Sequence, residues 1–150
     1  MAISQAMCTS FKVEILDAVH AFGTTVTRAG TGADTFRIAL YTSSASLDAS
    51  TTTYSSTNEV PNGSGYTTGG QTLTVSQVPT STSTTAWLSF SDVTWTTATI
   101  TANGALIYNS TQNDKAVAVL AFGGDKSSTA GNFTIQFPTA NSTSAIIRIA

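Results

Sequence analysis

The feature that most constrains this chain is a change in the spacing of its apolar residues at Gly23. Before it, Phe11, Ile15, Val19 and Phe22 recur at intervals of four, four and three, with Leu16 beside them, which is the spacing of one helix face. After it the period falls to two. From Thr35 to Thr42, Phe36, Ile38 and Leu40 alternate with Arg37, Ala39 and Tyr41, as in a strand. Threonine favours this second pattern: 29 Thr and 19 Ser fill 48 of 150 positions, and a β-branched side chain suits a half-buried sheet better than a helix.

The first segment predicts one amphipathic helix within residues 1–22, capped by Ser4, Thr9 or Ser10 and closed by Gly23. Lys12, Glu14, Asp17 and His20 fall mainly off the apolar stripe and read as its solvated face. Strands are predicted over 35–42, 71–78, 86–90, 93–101, 104–109, 115–122, 133–137 and 145–150. Turn signals separate them, among them Pro61-Asn62-Gly63, Gly69-Gly70, Asn103-Gly104, Asn113-Asp114 and Gly123-Gly124-Asp125. Residues 42–58 and 79–85 are nearly pure Ser and Thr and read as loops or edge strands. No long helical segment lies between strands to make parallel crossovers. The reading is a single all-β domain over 1–150: an antiparallel β-sandwich, jelly-roll-like, of about eight strands over 35–150 with one N-terminal amphipathic helix. Ala116 to Phe122, apolar on both faces, reads as a central strand with the helix among its cover.

Several function classes fall away at this stage. Six basic and eight acidic residues give a net charge of -2, without the basic footprint of a nucleic-acid binder. The longest apolar runs are far short of the roughly 20 residues that cross a bilayer, and Met1 to Ser10 lacks the pattern of a secretory signal. Cys8 is the one cysteine, so no intrachain disulfide and no cysteine-based zinc site is expected. His20 is the one histidine, and pairing it with any of 19 serines is a coincidence-level signal for a triad. Cys8 and His20, twelve residues apart on a continuous helix, would lie roughly 18 Å apart along its axis. Asp34, Asp48, Glu59, Asp92, Asp114 and Asp125 all sit in or beside turns, where acidic side chains accept local backbone amides. Four glycosylation-type sequons, at Asn62, Asn109, Asn132 and Asn141, arise by chance in so Ser/Thr-rich a chain. No catalytic residue, cofactor or metal is expected. Among the aromatics, Trp87, Trp95 and Tyr66 are the candidates for a sugar platform, with core or subunit packing as the simpler reading.

Taken together, several blocks resemble a known family. They are Ile38-Ala39-Leu40-Tyr41-Thr42-Ser43-Ser44-Ala45, Thr57-Asn58-Glu59-Val60 leading to Gly65-Tyr66-Thr67, Ala105-Leu106-Ile107-Tyr108-Asn109, Lys115 to Leu120 followed by Phe122 to Lys126, and Ile146-Ile147-Arg148-Ile149. Over almost its whole length the chain resembles a family of small structural proteins of tailed bacteriophages. The resemblance implies a non-enzymatic virion protein, made in the host cytoplasm, that decorates or cements the capsid by binding the major capsid protein. A tail, neck or fibre component is the alternative, and a carbohydrate-binding or adhesive module a further one. The motifs are strand and turn signatures, so no binding residues carry over from the family.

A surface with only 9% charged residues, against a usual 25% or so, lets many copies sit side by side. For such a virion protein a symmetric homo-oligomer, a trimer, is expected, with no nucleic acid or membrane as partner. Phe11, Ile15 and Phe22, with Trp87 and Trp95, are the expected partner contacts.

Overall fold

A computed structural model of the chain describes residues 2–16, 18–23 and 33–150. In chain order the elements are β1 (Ala6–Met7), α1 (Thr9–Leu16), β2 (Phe36–Tyr41), β3 (Gln71–Leu73), β4 (Val75–Thr82), β5 (Thr85–Phe90), β6 (Val93–Asn109), β7 (Lys115–Ile135) and β8 (Ile147–Ile149). Five strands form one sheet in the order β1-β7-β6-β2-β3, and three form another in the order β4-β5-β8. All pairings between named strands are antiparallel. The fold is therefore the all-β, sandwich-like class that the alternation predicts. One apolar cluster joins the sheets: Phe90 of β5 packs on Phe36 of β2 with ring centroids 6.2 Å apart, and Leu88 and Ile147 belong to the same core. Each such side chain, fully buried, contributes about 1.5–3 kcal/mol.

The β6–β7 hairpin dominates the molecule, and it contains two sites read as turns. Asn103-Gly104 runs inside β6, where a Cβ on Gly104 would lie 2.6 Å from the Leu120 carbonyl oxygen and 2.9 Å from the Ile3 side chain. The glycine is there for close approach, not for reversal. Gly123 and Gly124 have φ of 72° and 142° and sit in a bulge: between the pairs Ala102–Lys126 and Gly104–Ala121, residues 122–125 of β7 oppose Asn103 alone. Each long strand thus replaces two predicted short ones. Along β6, Trp95, Ala98, Ile100 and Ala102 point inward while Thr96, Thr97, Thr99 and Thr101 face solvent. Conversely the predicted strand 71–78 divides at Thr74, and its halves enter different sheets. The Ala116–Leu120 run is buried between β1 and β6 with α1 packed on β7.

The N-terminal helix is shorter than its apolar spacing predicts. It ends at Leu16, where Val19 N–H reaches back to the Glu14 carbonyl (2.9 Å) and Ala18 takes the left-handed φ of 55°. That is the Schellman closure usually made by glycine. Because alanine holds the left-handed position here, the sequence carries no stop signal before Gly23. Val19 and Phe22 consequently lie beyond the helix, and their spacing mimics a face that residues 18–23 do not form. Asp17 and the side chain of Leu16 lie outside the described residues.

Candidate interaction groove and its buried anchors

Residues 20–23 run past the second sheet and leave between them an open apolar groove of about 450 Å³. Phe11 and Ile15 from α1, with Ala21 and Phe22, form one wall. Leu88, Trp87 and Ile147 form the other, and the exposed Val78 and Ile149 lie at the groove as well. Four of the five expected partner contacts therefore lie at one feature, but only Ile15 and Trp87 present surface there; Phe11 (0% exposed) and Phe22 (8%) are core residues that form its floor. Trp95 does not lie there. It is 2% exposed and packs against Tyr66 and Phe133 at 5.9 and 6.2 Å, which removes it from any surface. Tyr66 is buried too, so of the three candidate sugar-platform rings Trp87 alone reaches the groove.

The wall formed by residues 20–23 is fastened from behind by a polar cluster. The His20 side chain is fully buried and its Nε2 lies 2.7 Å from Glu14 Oε2. Lys115 Nζ donates to Glu14 Oε1 at 2.5 Å. The amide of Asn109, itself fully buried, bridges His20 Nδ1 (3.0 Å) and Asp34 Oδ2 (2.7 Å). Asp34 also accepts the Ala21 N–H at 2.9 Å, while its own N–H goes to the Ala21 carbonyl. Phe11, Phe22 and Phe36 surround the imidazole at 4.9–6.3 Å between centroids. Desolvation holds the His20 pKa below the ordinary value, despite the opposing pull of Glu14. Desolvation pushes the Glu14 carboxyl up, but the hydrogen bonds from Lys115 and His20 outweigh it and leave it below its ordinary value. The solvated face expected for Glu14 and His20 is thus overturned: beyond the helix end the chain turns His20 inward, and Glu14, still within α1, is buried between it and Lys115.

Both ring nitrogens of His20 are engaged, which leaves none to serve a nucleophile. The helix break also removes the premise that put Cys8 and His20 about 18 Å apart. Burial, with Glu14 and Asp48 nearby, pushes the Cys8 thiol up to about 11, so it is no thiolate near neutrality.

A second anchor ties down the long segment 42–70. Glu59, 7% exposed, accepts hydrogen bonds from Tyr54 Oη (2.6 Å), Tyr66 Oη (2.6 Å) and Gly69 N–H (2.7 Å). Tyr66 Oη accepts in turn from Leu40 N–H, and Tyr108 Oη and Arg37 Nε both donate to the Gly69 carbonyl. Burial and Glu59 drive the Tyr54 and Tyr66 pKa values upward. Of the six acidic residues read as turn-formers, Asp48 behaves so, accepting from Ser50 two residues on. Asp34 and Asp92, which accepts the Phe137 N–H, instead bind distant segments, and Glu59 accepts from Tyr54, Tyr66 and Gly69 across its own long loop. Nothing in local sequence separates the two kinds, because an acidic residue beside a turn looks the same in both. Of the sequons, Asn109 is wholly buried.

Among the described residues, no group of three or more His, Cys, Asp or Glu side chains could hold a metal ion, and no helix is long and apolar enough to cross a membrane. Comparison with protein-family models, curated proteins and solved structures finds no match.

Proposed function

We propose that this chain is a non-enzymatic structural protein of a tailed-bacteriophage virion, a capsid decoration or cement protein whose groove seats an apolar segment of the major capsid protein. The observation that carries the reading is the apolar groove in which half-buried Ile15 and Trp87 meet exposed Val78 and Ile149, over a floor that buried Phe11 and Phe22 close. Open apolar surface of this kind on a folded domain marks a contact site. The low charge of the chain supports crowding of many copies, as a homo-oligomer, on a shell. The resemblance of the strand and turn blocks to the phage family supplies the setting.

The test is the copy number of the chain in purified virions, measured by mass spectrometry against the major capsid protein. A ratio near one to one is expected. A few copies to a few dozen moves the protein to the tail or neck, and absence from virions rejects the reading. Virions lacking the chain are expected to lose infectivity at lower temperature than the parent, and Trp87→Ala is expected to strip the protein from the shell while leaving it folded.

A further inference from the structure

The cluster behind the groove accepts only one protonation state of its histidine. Asn109 Oδ1 receives the N–H groups of Thr111 (3.1 Å) and Gln112 (3.2 Å), so the NH2 of that amide is the end turned toward His20 and Asp34. One of its hydrogens goes to Asp34 and the other to His20 Nδ1. Nδ1 is therefore an acceptor, and the single ring hydrogen sits on Nε2, donated to Glu14. A second ring proton would have to sit on Nδ1, facing an NH2 group: donor against donor, on a buried ring flanked by three phenyl rings.

We propose that His20 is an acid-released pin, which holds residues 18–23 against the sheet while neutral and frees them when it takes up a proton. Among the described residues, the charged groups around the ring are Glu14 from α1, Asp34 from the stretch before β2, and Lys115 from β7. β2 presents Phe36 to it, and Phe11 and Phe22 pack against it from α1 and the segment after it. The two carboxylates favour a charged ring, while Lys115 and desolvation oppose it, and the balance lowers the His20 pKa. A histidine with a depressed folded-state value binds its proton more readily in the released state, so the pinned state is full-strength above the ordinary histidine range and weakens as pH falls through it. Glu14, also depressed, acts in the same direction at lower pH. Residues 20–23 wall the groove, so release also dismantles the groove. That last consequence rests on the proposed function, whereas the pin does not.

The imidazole can be read without ambiguity, because the chain has one histidine. On the isolated, full-length protein, nitrogen NMR at pH 7 is expected to show the neutral Nε2–H form. Amide hydrogen exchange, corrected for its intrinsic pH dependence, is then followed from pH 7 to 5. Protection at Val19, Ala21 and Asp34 is expected to fall by up to about tenfold per pH unit below the ordinary histidine range, while the β6 and β7 strand amides hold. His20→Gln, which keeps a donor for Glu14 and an acceptor for Asn109, is expected to abolish that pH step. A charged or Nδ1–H ring at pH 7, protection at Ala21 that follows the strand amides, or a step that survives in His20→Gln would each overturn the pin. None of these measurements involves a partner, so their failure would leave the virion reading standing.

Discussion

Two buried carboxylates, Glu59 and Glu14, do comparable work with different chemistry. Each gathers several hydrogen bonds, Glu59 from Tyr54, Tyr66 and Gly69 within ten residues of it and Glu14 from His20 and the distant Lys115, and so fastens a stretch with little regular structure of its own. Around Glu59 the donors are two tyrosine hydroxyls and a backbone N–H, none of which changes charge near neutral pH. Around Glu14 they are an imidazole and an ammonium group, and the imidazole, its pKa held below the ordinary value by burial, takes up a proton as the pH falls. A carboxylate held by hydroxyls and amides makes a permanent tie, whereas one held by histidine makes a tie that acid can undo.

The sharpest way to break the comparison is through the backbone beneath Glu59. Gly70 has φ of 67°, and a Cβ there would lie 1.8 Å from the Ile38 carbonyl oxygen, so Gly70→Ala is expected to cost more than about 4 kcal/mol in urea unfolding, or to prevent folding. Next in size, Glu59→Ala strands the buried Tyr66 hydroxyl, the half-buried Tyr54 hydroxyl and one N–H, and is expected to cost about 3–5 kcal/mol. His20→Gln keeps most of the second cluster and is expected to cost about 1–2 kcal/mol at pH 7. If it equals Glu59→Ala, the two ties are not different in kind. Smallest is Trp87→Ala, about 1–2 kcal/mol or less, since the ring is only half buried.

Acid and base should separate the regions without mutation. Tyr54 and Tyr66 have raised pKa values, so the stability they confer is complete below the ordinary tyrosine value of 10.0 and is lost as pH rises beyond it. Limited proteolysis is expected to open residues 42–70 first in alkali and residues 18–23 first in acid. Cleavage in the same order at both extremes would contradict the contrast drawn between the clusters.

The alternation in Phe36–Leu40 and the apolar run at Ala116–Leu120 were enough to place β2 and the buried part of β7, because a period of two leaves a sheet few ways to turn its side chains. The helix end was not legible, since Ala18 occupies a position where glycine is the usual signal. Asn103-Gly104 and Gly123-Gly124 misled for the opposite reason. Glycine marks both reversals and close approach, and only the partner strand tells which. Among the five expected contact residues, the aromatic and apolar character of Phe11, Ile15, Phe22 and Trp87 was visible, but nothing in the spacing distinguished Trp87 from Trp95.

The sequence by itself determined the all-β class, the central buried run and the scarcity of charge, because these follow from local periodicity and composition. Tertiary structure alone decided which sheet each half of 71–78 joins, which tryptophan is core, and that Glu14, Glu59, Asp34 and His20 are anchors and not surface. The physical reason is that burial of a polar group depends on partners supplied from elsewhere in the chain. Lys115 lies 101 residues from Glu14, and Asn109 lies 89 from His20, so no window of local sequence contains both halves of either bond.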